Sequence, residues 1–162
     1  MASAELKDDA HLLIARSAYE TDQIPLAQSE FGLTYKMNKG EKGAESKYFL
    51  ALIQFKSENF KEAEKIIFEF INEFSAYDAW LAKSFILLAD VYVKLGNNVQ
   101  AKQTLQSIID NYEGPALVEI AKGKLNDILT AEREEEARQK AASDKAVEAE
   151  LNKETETLLD PQ

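Results

Sequence analysis

ALIQFKSENFKEAEKIIFEFI (residues 51–71) and ADVYVKLGNNVQAKQTLQSII (residues 89–109) align without a gap. Ala51 falls on Ala89, Phe55 on Val93, Lys56 on Lys94, Asn59 on Asn97, Ala63 on Ala101, Ile67 on Leu105, Phe70 on Ile108 and Ile71 on Ile109. A third copy lies upstream in ARSAYETDQIPLAQSEFGLTY (residues 15–35). Ala15, Tyr19, Ala27, Phe31 and Tyr35 hold the corresponding places there, and Thr34 replaces the apolar residue at Phe70 and Ile108. The copies start at Ala15, Ala51 and Ala89, so they are spaced by 36 and then 38 residues. A period of this length is the signature of a repeated supersecondary unit.

Within each copy two apolar-periodic segments flank a short polar break, at 20–23, 57–59 and 96–98. Such a pattern reads as helix, tight turn, helix, an αα-hairpin used three times. The alanines fit this reading physically. A small side chain where two antiparallel helices cross lets the backbones approach to the short end of the ~8–10 Å interaxial range. Ala51 is therefore expected to face Ala63, and Ala89 to face Ala101.

The rest of the chain supports an all-α reading. With 6 Gly and 3 Pro in 162 residues it is poor in turn formers, and 45% apolar residues are enough to bury a core. The glycines are isolated, at Gly40, Gly43, Gly96 and Gly114 in expected turns and at Gly32 and Gly123 as expected interruptions of helices. No phosphate-cradling glycine loop is formed from them. The absence of Cys removes disulfides, thiolate zinc sites and cysteine nucleophiles, and leaves the redox compartment unread.

His11 is the only histidine and has no Ser, Cys or second ligand at a useful spacing, so it receives no role. No acidic stretch has the alternating oxygen ligands of a calcium loop. No catalytic residue, metal site or cofactor site is expected. A formal net charge of −10 repels phosphate backbones, which argues against nucleic acid as a partner. No apolar run approaches the roughly 18 residues of a membrane span. The opening MASAELKDDAHLL lacks a basic region followed by an apolar one, so the chain is expected to be soluble, with a leader or further repeats ahead of it left open.

After Gly114-Pro115 the stripe Leu117, Ile120, Ala121, Leu125, Ile128 and Leu129 predicts a further helix that caps the last hairpin. From Glu132 the stripe dissolves, and residues 132–162 hold 10 acidic and 5 basic side chains. The domain division expected is therefore a repeat domain with its capping helix over 1–131 and an acidic tail, helical or disordered, over 132–162. One reading of the tail is a solvated charged helix. The other is a coiled-coil strand using Val147, Leu151 and Leu158, fewer apolar residues than three or four heptads require.

The three copies resemble the tetratricopeptide repeats, which carry a small residue in each helix and large apolar residues around them. The resemblance covers about residues 6–112. It is good at the paired alanines, at Ile14, Leu50 and Leu88, and at Gly96, where the family prefers a turn glycine. Asp22 and Glu58 stand in place of that glycine, and the linkers KMNKGEKGAE and NEFSAYDAWLA read as longer than the family norm. The resemblance implies a right-handed stack of three antiparallel helical hairpins plus a capping helix, an α-solenoid whose first helices line a concave groove. Carried over position by position, it implies groove residues Leu12, Arg16 and Tyr19, then Tyr48, Leu52, Phe55 and Lys56, then Ile86, Asp90, Val93 and Lys94. Asn59 and Asn97 fall in turns, so the carboxylate clamp of some family members is not implied. Residues 80–114 also resemble C-terminal repeats of long Bacteroidetes tetratricopeptide proteins and, more distantly, envelope-assembly and division-coordination proteins of Gram-negative bacteria. That likeness implies a periplasmic or envelope scaffold, with the cytoplasm left open.

The function expected is a non-catalytic adaptor or scaffold that binds a protein or peptide partner in the groove. The alternative is a self-association module in which an end of the stack or the tail pairs with a second copy. An enzyme reading requires a buried, perturbed cluster of Asp90 with Lys94 and Lys56.

Overall fold

Good helix formers fill both halves of every copy, and the chain forms a helix in each of those halves. The computed structural model describes residues 4–159, and among them it contains seven α-helices and no strand: α1 (Ala4–Glu20), α2 (Ile24–Met37), α3 (Glu41–Lys56), α4 (Phe60–Phe74), α5 (Asp78–Lys94), α6 (Asn98–Asn111) and α7 (Pro115–Leu159). By contacts the chain divides into two units, Met1–Leu125 and Asn126–Gln162.

In the first unit α1 packs on α2, α3 on α4 and α5 on α6. The hairpins join through α2 against α3 and α4 against α5, and α3 also touches α1 and α5. Both expected alanine pairs are buried, Ala51 with Ala63 and Ala89 with Ala101, and so are the corresponding Ala15 and Ala27 of the first copy. Around them Phe31, Ile53, Ile67, Phe70, Phe74, Val91 and Leu105 fill the core completely. Phe31 of α2 stacks face to face on Phe49 of α3 with centroids 4.8 Å apart, which joins the first two hairpins through an aromatic pair.

The three intra-hairpin turns are built alike. Asp22, Glu58 and Gly96 have φ of 59°, 61° and 76°, all in the left-handed region. The next residue's N–H closes back on the helix: Gln23 donates to Ala18 O (2.8 Å), Asn59 to Gln54 O (2.9 Å) and Asn97 to Tyr92 O (2.8 Å). This six-to-one bond with a left-handed residue before it is the Schellman helix ending. Asp22 and Glu58 therefore adopt the same geometry as the glycine they stand in for.

Between hairpins the structure corrects the expected long linkers. Only residues 38–40 and 75–77 lie outside helices there, and Asn38 turns the chain in the first of these links. Its Oδ1 accepts the Gly40 N–H (2.8 Å) and its Nδ2 donates to Asp8 of α1 (3.1 Å), and the helix-forming EKGAE starts α3 at once. Gly43 is thus not in a turn but in the first turn of α3, where a Cβ would collide with the Asn38 carbonyl. Gly32 and Gly123 likewise lie inside α2 and α7 without interrupting them.

Polar ties cross between helices. Arg16 of α1 is held by both oxygens of Glu45 on α3 through Nε and Nη2, a bidentate pair that raises the Arg16 pKa. Lys47, buried on α3, donates to Glu69 of α4 and lies 4.4 Å from the Tyr35 ring. Burial alone lowers its pKa, and the bond to Glu69 together with Tyr35 more than offsets that. Tyr35 of α2 donates to Glu73 of α4 (2.8 Å), another tie between the first two hairpins.

Helix α7 begins at Pro115, a residue suited to a first helical position. Of the stripe expected there, Ala121 and Ile128 are buried, Leu117, Leu125 and Leu129 half-buried and Ile120 exposed. In the second unit every described side chain over 133–156 is exposed, Val147 and Leu151 included; the Leu158 side chain lies outside the described residues.

Candidate functional site

In the first unit α3, α5 and the first turns of α7 frame a cleft of about 440 Å³. Helical spacing decides which residues reach it. Tyr48, Leu52 and Phe55 recur at i, i+4 and i+7 on α3, with Phe49 beside them. Trp80, Lys83, Ile86, Leu87 and Asp90 line it from α5, and Leu117, Ile120 and Lys124 close it from α7.

Aromatic rings form one end. Tyr48 lies 5.5 Å from Phe49, edge to face, and 5.5 Å from Trp80. The Lys83 ammonium sits 4.1 Å above the Trp80 ring, within cation–π range. An ion pair also lines the cleft, Lys124 Nζ donating to both Asp90 oxygens at 2.7 and 2.9 Å. Burial, then the nearby Tyr19 and Asp90, push the Tyr48 phenol up to about 12, so it stays a neutral donor at physiological pH.

Of the groove residues that the resemblance implied, five line this cleft: Tyr48, Leu52, Phe55, Ile86 and Asp90. Leu12 does not present itself to a ligand; it is packed in the core with Ala15, Ala18, Ala27, Phe31 and Ile53. Arg16 is occupied by Glu45. Tyr19 packs edge-on to Phe49 at 5.0 Å, and Lys56 lies 4.6 Å over the Tyr19 ring, so these two form a neighbouring cation–π pair. Val93 and Lys94 are exposed and do not line the cleft.

Sequence reasoning missed Phe49, Trp80, Lys83, Leu87 and the α7 trio. Trp80 was hidden by reading DAWLA as linker. Once α5 starts at Asp78, Trp80, Lys83, Leu87 and Asp90 follow at spacings of three and four. The α7 residues had a signal in their stripe, but the stripe does not say which of its edges faces a cleft.

A second cleft, of about 350 Å³, lies between α5 and α6, lined among others by Asp78, Phe85, Asn111 and Glu113. Among the described residues no group of three or more His, Asp or Glu side chains could hold a metal ion. His11 Nδ1 is engaged by Glu30 across the first hairpin. Among the described residues no helix is long and apolar enough to cross a membrane. The chain matches no family model, and no curated protein matches it.

Proposed function

We propose that this chain is a non-catalytic, tetratricopeptide-like repeat module that holds a segment of another protein in the cleft of α3, α5 and α7. The observation that carries the reading is the convergence of Tyr48, Phe55, Trp80, Leu52 and Ile120 from three helices on one cleft with an ion pair at its side. Clustered aromatic anchors contribute most of the energy at protein interfaces, and nearby charges set orientation. A cleft of this size suits a few side chains of a peptide rather than a whole domain surface. The Asp90 carboxylate is taken up by Lys124 and Lys56 by the Tyr19 ring, which supports binding over proton-transfer chemistry at the residues an enzyme reading requires.

Trp80 is the only tryptophan, so its emission reports occupancy of the cleft. Selection from a displayed peptide library on the full chain should enrich sequences with large apolar residues at helical spacing, and their titration should shift the Trp80 emission. The Tyr48→Ala, Phe55→Ala double variant, with an unchanged circular-dichroism spectrum, should bind them at least about tenfold more weakly, about 1.4 kcal/mol. Equal binding by that variant, or no enrichment, removes the proposal.

A further inference from the structure

The first hairpin turns an apolar face outward. On α1 Leu13 is 67% and Ile14 44% exposed, and on α2 Leu26, Leu33 and Met37 are 42%, 38% and 44% exposed. Leu13, Ile14 and Leu26 together line a shallow depression with Ser17, Ala18 and Gln23. Leu26, Leu33 and Met37 recur at i, i+7 and i+11, a single stripe of α2.

The repeat itself indicates what such a face accepts. Thirty-six residues after Leu13, Ile14 and Ser17 stand Phe49, Leu50 and Ile53. Phe49 stacks on Phe31 of the preceding hairpin's second helix, Ile53 is buried in the cluster that contains Phe31, and Leu50 packs against it. In the third copy the same places are Leu87, Leu88 and Val91, exposed by 3%, 2% and 0%. These positions are covered in the second and third hairpins and open in the first. On the second helix, Leu33 and Met37 stand where α4 has Glu69 and Glu73, and Glu73 reaches back to Tyr35 of the preceding hairpin. Positions that carry the half-exposed carboxylates Glu69 and Glu73 on α4 therefore carry apolar side chains on α2.

We propose that a second copy of this chain docks on the face, α1 of each protomer packing against α2 of the other about a two-fold axis. The surface is self-complementary in kind: each copy offers an α1 stripe at positions that receive a second helix elsewhere in the chain, and beside it an apolar stripe of a second helix, α2. A two-fold contact needs both on the same patch. The five side chains leave roughly 400 Å² of apolar surface per copy, within the ~300–600 Å² of a monomer's largest and often functional patch. At the ~65% apolar content of homodimer interfaces, two such patches correspond to roughly 1,200 Å² in all, the lower bound of a specific contact. This interface is separate from the α3, α5 and α7 cleft, and each can fail without the other.

Sedimentation equilibrium on the full chain should show the mass rising with concentration from 18.2 kDa toward twice that value. Leu13→Glu with Leu33→Glu, both at exposed positions, should weaken association at least about tenfold. Val147→Glu with Leu151→Glu in the tail, and the Tyr48→Ala, Phe55→Ala cleft variant, should dimerise as the parent does. Because the chain has no cysteine, a nitroxide on Leu13→Cys in the otherwise unaltered protein gives a second readout. It should report a short distance between copies, and it stands even where the glutamate variant misfolds. A chain that stays monomeric at every concentration, a dimer dispersed by the tail substitutions, or a dimer with no short distance at position 13 overturns the proposal.

Discussion

Tyr48 shows how one side chain ties the cleft to stability. Its phenol is raised from the usual 10.0 to about 12 by burial, with Tyr19 and Asp90 adding to the shift. A group whose folded value lies above its unfolded one stabilises the fold at pH below the unfolded value. That contribution is lost as pH climbs from about 10 to about 12, and its full size is on the order of 3 kcal/mol. Tyr48→Phe should therefore flatten the fall in thermal stability across that alkaline window, measured by melting at successive pH values. An unchanged profile means the phenol is better solvated than its packing against Phe49 and Trp80 indicates. Leu12, Tyr48 and Ile86 occupy one position of the repeat, yet Leu12 packs in the core of the first hairpin, Tyr48 is half-buried at the cleft and Ile86 is buried while also lining it. Periodicity assigns a residue to a helix face; the neighbours of that face decide whether it is core or site.

At the level of elements, the Schellman turns are the most regular feature of the chain. Glu58 has a Cβ in a backbone region that costs an L-residue roughly 1–2 kcal/mol, and Gly96 holds the same place without strain. Glu58→Gly should stabilise the protein by about 1 kcal/mol in urea unfolding with the slope unchanged, and Gly96→Ala should destabilise it by a similar amount. Loss of stability in Glu58→Gly shows that the Glu58 side chain contributes more than its strained backbone costs. These turns were legible as polar breaks at 57–59 and 96–98. Their left-handed residue was legible only where it was glycine, since Asp and Glu adopt that geometry under constraint from the packed helices. The short links at 38–40 and 75–77 were misread as long for a related reason: KMNKGEKGAE is rich in polar residues, and the Asn38 turn that allows α3 to begin at Glu41 leans on Asp8, a contact across the chain.

For the molecule as a whole, residues 132–162 contribute −5 of the −10 net charge, and every described side chain over 133–156 is exposed. A chain ending at Ala131 should therefore lose helical ellipticity while the remaining unit melts within a few degrees of the parent, because no described side chain over 133–156 takes core contacts with it. A large drop in melting temperature contradicts the exposure of that segment. The removal also halves the net charge, so a change in solubility with an unchanged melt separates the tail's electrostatic effect from any structural one.

Residue patterning alone determined that this chain is helical, that it is built from three copies of one hairpin, and that the repeated alanines are buried. Those features are local: helix propensity, spacing of apolar side chains and the size of a single residue repeat within twenty positions of chain. Tertiary structure decided which apolar positions became core, cleft or open face. Phe49 and Leu13 are equivalent in sequence, and the packing of Phe31 and the neighbouring rings on the first leaves it half-buried beside the cleft while the second stays on the surface. Trp80 and Lys124 joined the cleft through the approach of α5 and α7, which depends on contacts between residues far apart in the chain and has no local period to betray it.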